Sequence, residues 1–369
     1  MFLGIPFHTA MAFSIHGAWI VEADQKSALL SWGAEFSHTF RMPVFFLIAG
    51  LFAVMMIQRR GEGPWWRDRL VRLGVPLVAM SIMINPLQML ATALWRGGAE
   101  GFLPVWQELL ATPGEPWIAH LWFLADLLIY CTVLALFWRI HDHPVVRGLL
   151  SRGAALLEWG RLGPALAVFL AGIFAVGSVV VLVVLGFNSL FNGMLVLART
   201  ATYLPVFLAG AVLSSRREWL DSFTRIRPVV WVLGFALALL LAAVQWREEN
   251  AFRVLSYFLQ PVVGILFAHI LLSAARKWFN TSNRVTRAGV DASFTVYLVH
   301  QVFVAFGVLL FMGSGVPPVA QFAVIVAGAT VLSLGCHAVV RRSSLLMLLF
   351  NGVLPGRRRV LAPGVSTPA

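Results

Sequence analysis

The 369-residue chain is 59% hydrophobic and 12% charged, with a mean hydropathy of +0.83 and two cysteines. About a quarter of an ordinary soluble domain is charged, so a soluble enzyme, a disordered chain and a disulfide-stapled secreted module are excluded. The net charge of +12 would suggest nucleic acid in a soluble protein; here the basic residues fall between apolar runs, the mark of membrane orientation, and no nucleic-acid partner is expected.

In chain order, runs long enough to cross a bilayer are predicted at 1–20, 36–58, 73–95, 120–138, 163–186, 190–213, 228–246, 252–274, 290–312 and 318–340. They do not alternate polar and apolar as barrel strands do, so they are read as helices. The expected fold is all-α: a polytopic integral membrane bundle of about ten transmembrane helices over residues 1–342. Residues 343–369 follow as a short interfacial helix (343–354) and a basic, disordered cytoplasmic tail. Residues 1–20 lack a basic lead and a small-residue cleavage site, so they are read as a span rather than a removable signal peptide.

Arginines follow every second span: Arg59, Arg60, Arg67, Arg69 and Arg72, then Arg139, Arg147, Arg152 and Arg161, then Arg216, Arg217, Arg225 and Arg227. Arg276, Lys277, Arg284 and Arg287 continue the pattern, and Arg341, Arg342 and Arg357 to Arg359 close it. The alternate loops carry Glu22, Asp24, Glu100, Glu108, Glu115, Glu248 and Glu249 and are net acidic. The positive-inside rule puts the basic loops and both termini in the cytoplasm. Such loops also suit lipid phosphates, so membrane lipids are expected partners. The acidic-side loop 96–119, with Gly97-Gly98, Pro104, Pro113-Gly114 and Pro116, is long enough to shape an external mouth or lid.

Polar side chains recur inside the spans, where a charged group costs about 2.5–3.5 kcal/mol. His8 is expected a third of the way in from the cytoplasm, and Asn85, Arg199 and His300 near mid-depth. His38 and Arg41 share one face of the second span at i, i+3. Asp126 lies below an outer mouth formed by His120-Leu121-Trp122, and Gln260 adjoins Pro261. Together they imply a polar cavity through the bundle. Interhelical hydrogen bonding is the competing reading, above all for Asn85 and Gln260. No metal-ligand spacing, G-x-S-x-G or phosphate-cradling glycine loop is present in the sequence. What remains is a histidine base for pH 7, intramembrane arginines to hold an anion and a cytoplasmic arginine cluster. This set suits transfer of a group from an anionic cytoplasmic donor to an outside acceptor, and equally an anion or proton-coupled transporter.

The order of residues narrows the choice. Leu3-Gly4-Ile5-Pro6-Phe7-His8, His38-Thr39-Phe40-Arg41-Met42-Pro43 and Trp65-Trp66-Arg67-Asp68-Arg69-Leu70-Val71-Arg72 resemble the membrane acyltransferase family 3. His120-Leu121-Trp122-Phe123-Leu124 and Tyr297-Leu298-Val299-His300-Gln301 extend the likeness. Within the family the sequence is most similar to the succinyltransferases of osmoregulated periplasmic glucans. The resemblance implies a multi-pass protein of the bacterial inner membrane, no tightly bound cofactor, succinyl-CoA as co-substrate and a periplasmic β-glucan hydroxyl as acceptor. It implies His8 as the catalytic histidine, with Arg41 and His38 of the second-span motif as further catalytic residues and Arg41 placed to position or stabilise the acyl group. Arg69 and Arg72 match the family's R-x-x-R, which with Arg67 would hold the CoA phosphates. The family's arginine eleven positions before that histidine falls ahead of Met1. Arg199 as a clamp for the succinyl carboxylate rests on depth and charge alone. His120, Trp122, Asp126, Asn85 and His300 are expected to line the acceptor path. An acetyl-CoA-dependent O-acetyltransferase of another exported polysaccharide, and a transporter, are the alternatives.

Overall fold

The computed structural model describes residues 2–17, 19–160, 162–279 and 283–354. Arg161 and the predicted tail after residue 354 lie outside the described residues. The helices are α1 (Gly4–Ala12), α2 (Ala28–Arg60), α3 (Glu62–Arg69), α4 (Val75–Met83), α5 (Asn85–Ala111), α6 (Glu115–Ile118), α7 (Trp122–Ile140) and α8 (Pro144–Leu157). They continue with α9 (Leu162–Val184), α10 (Leu197–Ser215), α11 (Arg217–Phe223), α12 (Pro228–Val244), α13 (Asn250–Trp278), α14 (Arg284–Leu310), α15 (Pro318–Val340) and α16 (Ser344–Asn351). A π-helical turn, Leu70–Gly74, joins α3 to α4, and one antiparallel pair, Ser189–Leu190 with Leu195–Val196, precedes α10.

Among the described residues eight helices are long and apolar enough to cross a membrane, and nine if α11 and α12, bent by 71°, form one span. The protein is therefore an all-α, multi-pass membrane protein. Large apolar side chains such as Val184, Val229 and Leu310 stand exposed on helix surfaces, as lipid-facing helices require. The centre is held by close backbone contact. A Cβ on Gly50 of α2 would fall 2.0 Å from the Phe207 carbonyl oxygen, and one on Gly210 of α10 would fall 1.9 Å from that of Leu47. Small residues permit such approach where no hydrophobic drive exists between helices in lipid.

Three expectations are corrected. Residues 1–20 are not one continuous transmembrane helix: α1 is nine residues, about 13 Å at 1.5 Å per residue. Among the described residues the chain then reaches the outer end of α14 without further helix, where Asp24 Oδ2 accepts from Gly313 N–H. The chain leaves the helix after Ala12 because side chains outbid the next turn: Ser31 Oγ accepts from Ile15 N–H at 2.7 Å and Ser14 Oγ from His16 N–H at 3.2 Å. The sixth span starts at Leu197, not 190, because Phe191, Asn192 and Gly193 all take positive φ and turn a hairpin. Loop 96–119 is largely helical: α5 breaks at Gly98 (φ 65°) and resumes to Ala111.

Of the remaining spans, α2 starts at Ala28 rather than 36 and the third is broken at Ile84 between α4 and α5, while the others sit close to where hydropathy puts them. The interfacial helix is α16, capped by Ser343 and closed by Gly352 in the left-handed region. Gly352 abuts the backbone of Arg72, and Gly289, near the start of α14, adjoins Phe2, so both ends of the described chain turn toward the basic face.

Candidate functional site

α1, α2, α7 and α14 converge on a cavity of about 100 Å³. Gly4, Phe7 and His8 enter from α1, His38, Arg41, Met42 and Phe45 from α2, and Tyr297 and His300 from α14. His120, in the short turn before α7, and Trp122 and Phe123 complete the wall. Six of the residues singled out in the sequence therefore meet in one place: His8, His38, Arg41, His120, Trp122 and His300.

The histidines differ in how they are held. His120 Nε2 lies 3.2 Å from the Leu298 carbonyl and its Nδ1 3.4 Å from Gln88 Nε2. The carbonyl accepts only, so Nε2 carries the proton and Nδ1 accepts from the amide; both ring nitrogens are engaged. His300 Nδ1 faces the carbonyls of Val296 and Tyr297 at 3.0 and 2.8 Å, which leaves Nε2 as a bare acceptor, buried without a partner. Neither His8 nor His38 makes a ring hydrogen bond among the described residues, and each has a buried, unpartnered Nδ1. The His8 ring is 5.2 Å from His300 and 6.5 Å from His120. Among the described residues no group of three His, Cys, Asp or Glu could hold a metal ion.

The i, i+3 spacing of His38 and Arg41 brings both to Phe7. Arg41 Cζ sits 3.6 Å from the Phe7 ring centroid, and the His38 ring stacks 5.7 Å from it. Arg41 is 8% exposed, and its Nε and Nη1 have no hydrogen-bond partner.

Arg199 is the third residue of α10, at the helix start rather than mid-depth, because the hairpin displaces the span. Its Nε is 3.5 Å from Asp126 Oδ2, and its guanidinium lies 3.9 Å over the Trp122 ring. Asp126, fully buried, also accepts from Thr200 Oγ1 at 2.8 Å. Asn85 stands at the α4–α5 break rather than on the cavity wall: its amide donates to the Trp117 carbonyl at 2.6 Å and its carbonyl accepts from Gln88 at 2.8 Å. Arg199, Asp126 and Asn85 thus back the wall. Gln88 was not singled out in the sequence, although it lies one turn from Asn85 on the same helix face.

Arg67, Arg69 and Arg72 lie apart from the cavity, on α3 and the π turn. From Arg72 to Asn85 the helical rise is about 20 Å. Arg69 lies 6.0 Å from the Trp65 ring. Single π turns inside helices recur at functional sites.

A family model described as "Acyltransferase domain" matches residues 1–338. The chain is 26% identical over 323 residues to Glucans biosynthesis protein C of Escherichia coli O1:K1 / APEC, which covers 86% of this chain and 81% of that one. The protein of that name from E. coli strain K12 / DH10B is 26% identical over 328 residues, with the same coverage. No solved structure matches.

Proposed function

The chain belongs to the membrane acyltransferase family 3, and from that premise we propose that it moves a succinyl group from cytoplasmic succinyl-CoA to a hydroxyl of a periplasmic β-glucan in the bacterial inner membrane, with His8 as general base. The observation that carries the proposal is the state of His8. Of the cavity histidines, His120 has both nitrogens engaged and His300 has one committed, which leaves His8 and His38, both uncommitted, partly exposed and in the cavity wall. The family likeness of residues 3–8 favours His8 of the two.

In this reading the acyl-CoA phosphates are held at the basic end by Arg67, Arg69 and Arg72 through charge-assisted hydrogen bonds, and the thioester reaches up to the cavity. The acceptor hydroxyl enters from the acidic end, past Trp122 and His120. Neutral His8 takes the hydroxyl proton as the oxygen attacks the thioester carbonyl carbon. The tetrahedral intermediate collapses with cleavage of the C–S bond, and the imidazolium returns the proton to the departing thiolate. One ester and one free CoA thiol result, and His8 is neutral again. The name of the E. coli relatives supports a glucan acceptor, and the sequence likeness supports the succinyl donor.

The test is purified protein in detergent with succinyl-CoA and a β-glucan, reading CoA thiol release and succinylated glucan by mass spectrometry. His8→Ala is expected to lower the rate by about 10²–10⁴-fold; full activity in that variant overturns the base assignment. His38→Ala in the same assay tests the other uncommitted histidine.

A further inference from the structure

We propose that Arg41 is the subsite for the carboxylate at the far end of the acyl group, so that this guanidinium rather than Arg199 selects an anionic acyl donor. The inference rests on the acyl-transfer reading above and identifies its substrate class: a short acyl chain ending in a carboxylate.

The case begins with an imbalance of charge. A buried cation costs several kcal/mol unless it is paired and hydrogen-bonded. Arg199, the cation assigned to this task from sequence, already has its counter-charge in Asp126, and at 26% side-chain exposure it keeps contact with the surroundings. Arg41 is 8% exposed, forms no ion pair and leaves Nε and Nη1 unsatisfied among the described residues. Among the described residues the guanidinium packs over the face of Phe7, its Cζ 3.6 Å from the ring centroid, and Arg41 lines the cavity, so its unsatisfied N–H donors are available to a ligand. A planar fork of donors matches a carboxylate bidentately.

The cavity supplies the rest of the shape. Phe7 is shared by both ends of the site: its ring centre is 3.6 Å from Arg41 Cζ and 4.9 Å from the His8 ring. Met42, Phe45 and Phe123 make the intervening wall apolar, suited to methylene groups. An acyl chain with its thioester carbonyl at His8 and its carboxylate at Arg41 would lie along Phe7 in the cavity of about 100 Å³. The charge left unpaired in the protein is then neutralised by the substrate, and an uncharged acyl group of the same length leaves it exposed to no partner.

Binding of succinyl-CoA and of butyryl-CoA, which has the same chain length without the carboxylate, separates the possibilities by calorimetry in detergent, with or without turnover. Wild type is expected to bind succinyl-CoA at least tenfold more tightly. Arg41→Gln is expected to reduce that ratio below threefold, and Arg41→Lys, which keeps the charge and loses the fork, to an intermediate value. Equal affinities in wild type overturn the proposal without needing a variant. A ratio that survives Arg41→Gln in monodisperse protein overturns it too, and assigns the carboxylate to another group. Arg199→Gln is expected to leave most of the preference in place. Absence of any glucan product from wild type, with the binding preference intact, would count against the acyl-transfer reading alone.

Discussion

The rings of His8 and His300 lie 5.2 Å apart, although α1 and α14 come from opposite ends of the chain. His300 is the better anchored of the two, since its Nδ1 is tied to the Val296 and Tyr297 carbonyls of its own helix. The short helix carrying His8 is brought up to it at Gly4, where a Cβ would fall 3.0 Å from His300 Nε2. Gly4 and His8 are i, i+4 and so share a helix face.

Gly4→Ala is therefore expected to act on the reaction more than on the fold. The added methyl meets a ring that cannot turn away, and the few tenths of an ångström it requires are passed along α1 to His8. Since misplacement by 1 Å can cost about 10²-fold in rate, a loss of about tenfold is expected, with the melting temperature close to wild type. Initial rates and thermal melts in detergent check this; an unchanged rate would mean that α1 has slack against α14.

Gln88 is a strut under the site. It donates to Asn85 Oδ1 and to His120 Nδ1, so Gln88→Leu strands two buried acceptors, each worth about 1–3 kcal/mol. The variant is expected to melt at a clearly lower temperature than wild type and to lose activity in proportion to the folded fraction. Loss of activity with no change in stability would instead give Gln88 a direct part in the chemistry.

The spans were legible because length and apolarity alone decide them, and α9, α12, α13 and α15 fall within a few residues of prediction, while α14 starts six residues before it, at Arg284. Two errors came from local chemistry that hydropathy averages away. Ser14 and Ser31 satisfy backbone amides sideways and end α1 early. Asn192-Gly193, a hairpin turn signal, interrupts a run otherwise apolar enough to pass as helix, and this moved Arg199 from mid-depth to a helix start. In the site, His8, His38, Arg41, His120 and His300 were legible as polar residues out of place in lipid. Their division of labour was not, because it depends on which nitrogens face carbonyls of residues distant in sequence, as His120 faces Leu298. The pairing of Asp126 with Arg199 across α7 and α10 was hidden for the same reason.

That pair invites a double-mutant cycle. Removing one partner of a fully buried ion pair costs about 3–5 kcal/mol. Arg199→Gln, which strands the fully buried Asp126 carboxylate, is expected to cost about 3 kcal/mol, whereas Asp126→Asn leaves a guanidinium that is 26% exposed and is expected to cost about 1 kcal/mol. The expected coupling is about 0.5–1 kcal/mol, measured by denaturation in detergent. Zero coupling would assign the placement of Arg199 to its stacking on Trp122 alone.

The last prediction concerns the far end of the molecule. Gly352 closes α16 at φ 58°, a region costly for any residue with a branched Cβ, and a Cβ there would fall 2.4 Å from Arg72 Cα and 2.6 Å from the Val71 carbonyl oxygen. Backbone atoms cannot yield as a side-chain tip does, so Gly352→Val must move α16 away from the π turn that carries Arg72. If Arg69 and Arg72 grip the donor phosphates, loosening this turn weakens ground-state binding and leaves untouched the cavity, whose lining includes no residue of α3 or the π turn. KM for succinyl-CoA is expected to rise several-fold with kcat nearly constant, the pattern of lost uniform binding, and the salt dependence of KM to flatten. A fall in kcat at constant KM would detach the π turn from donor binding and tie α16 to the cavity instead, through Asn351 and its contact with Thr295 Oγ1 at 3.4 Å on α14.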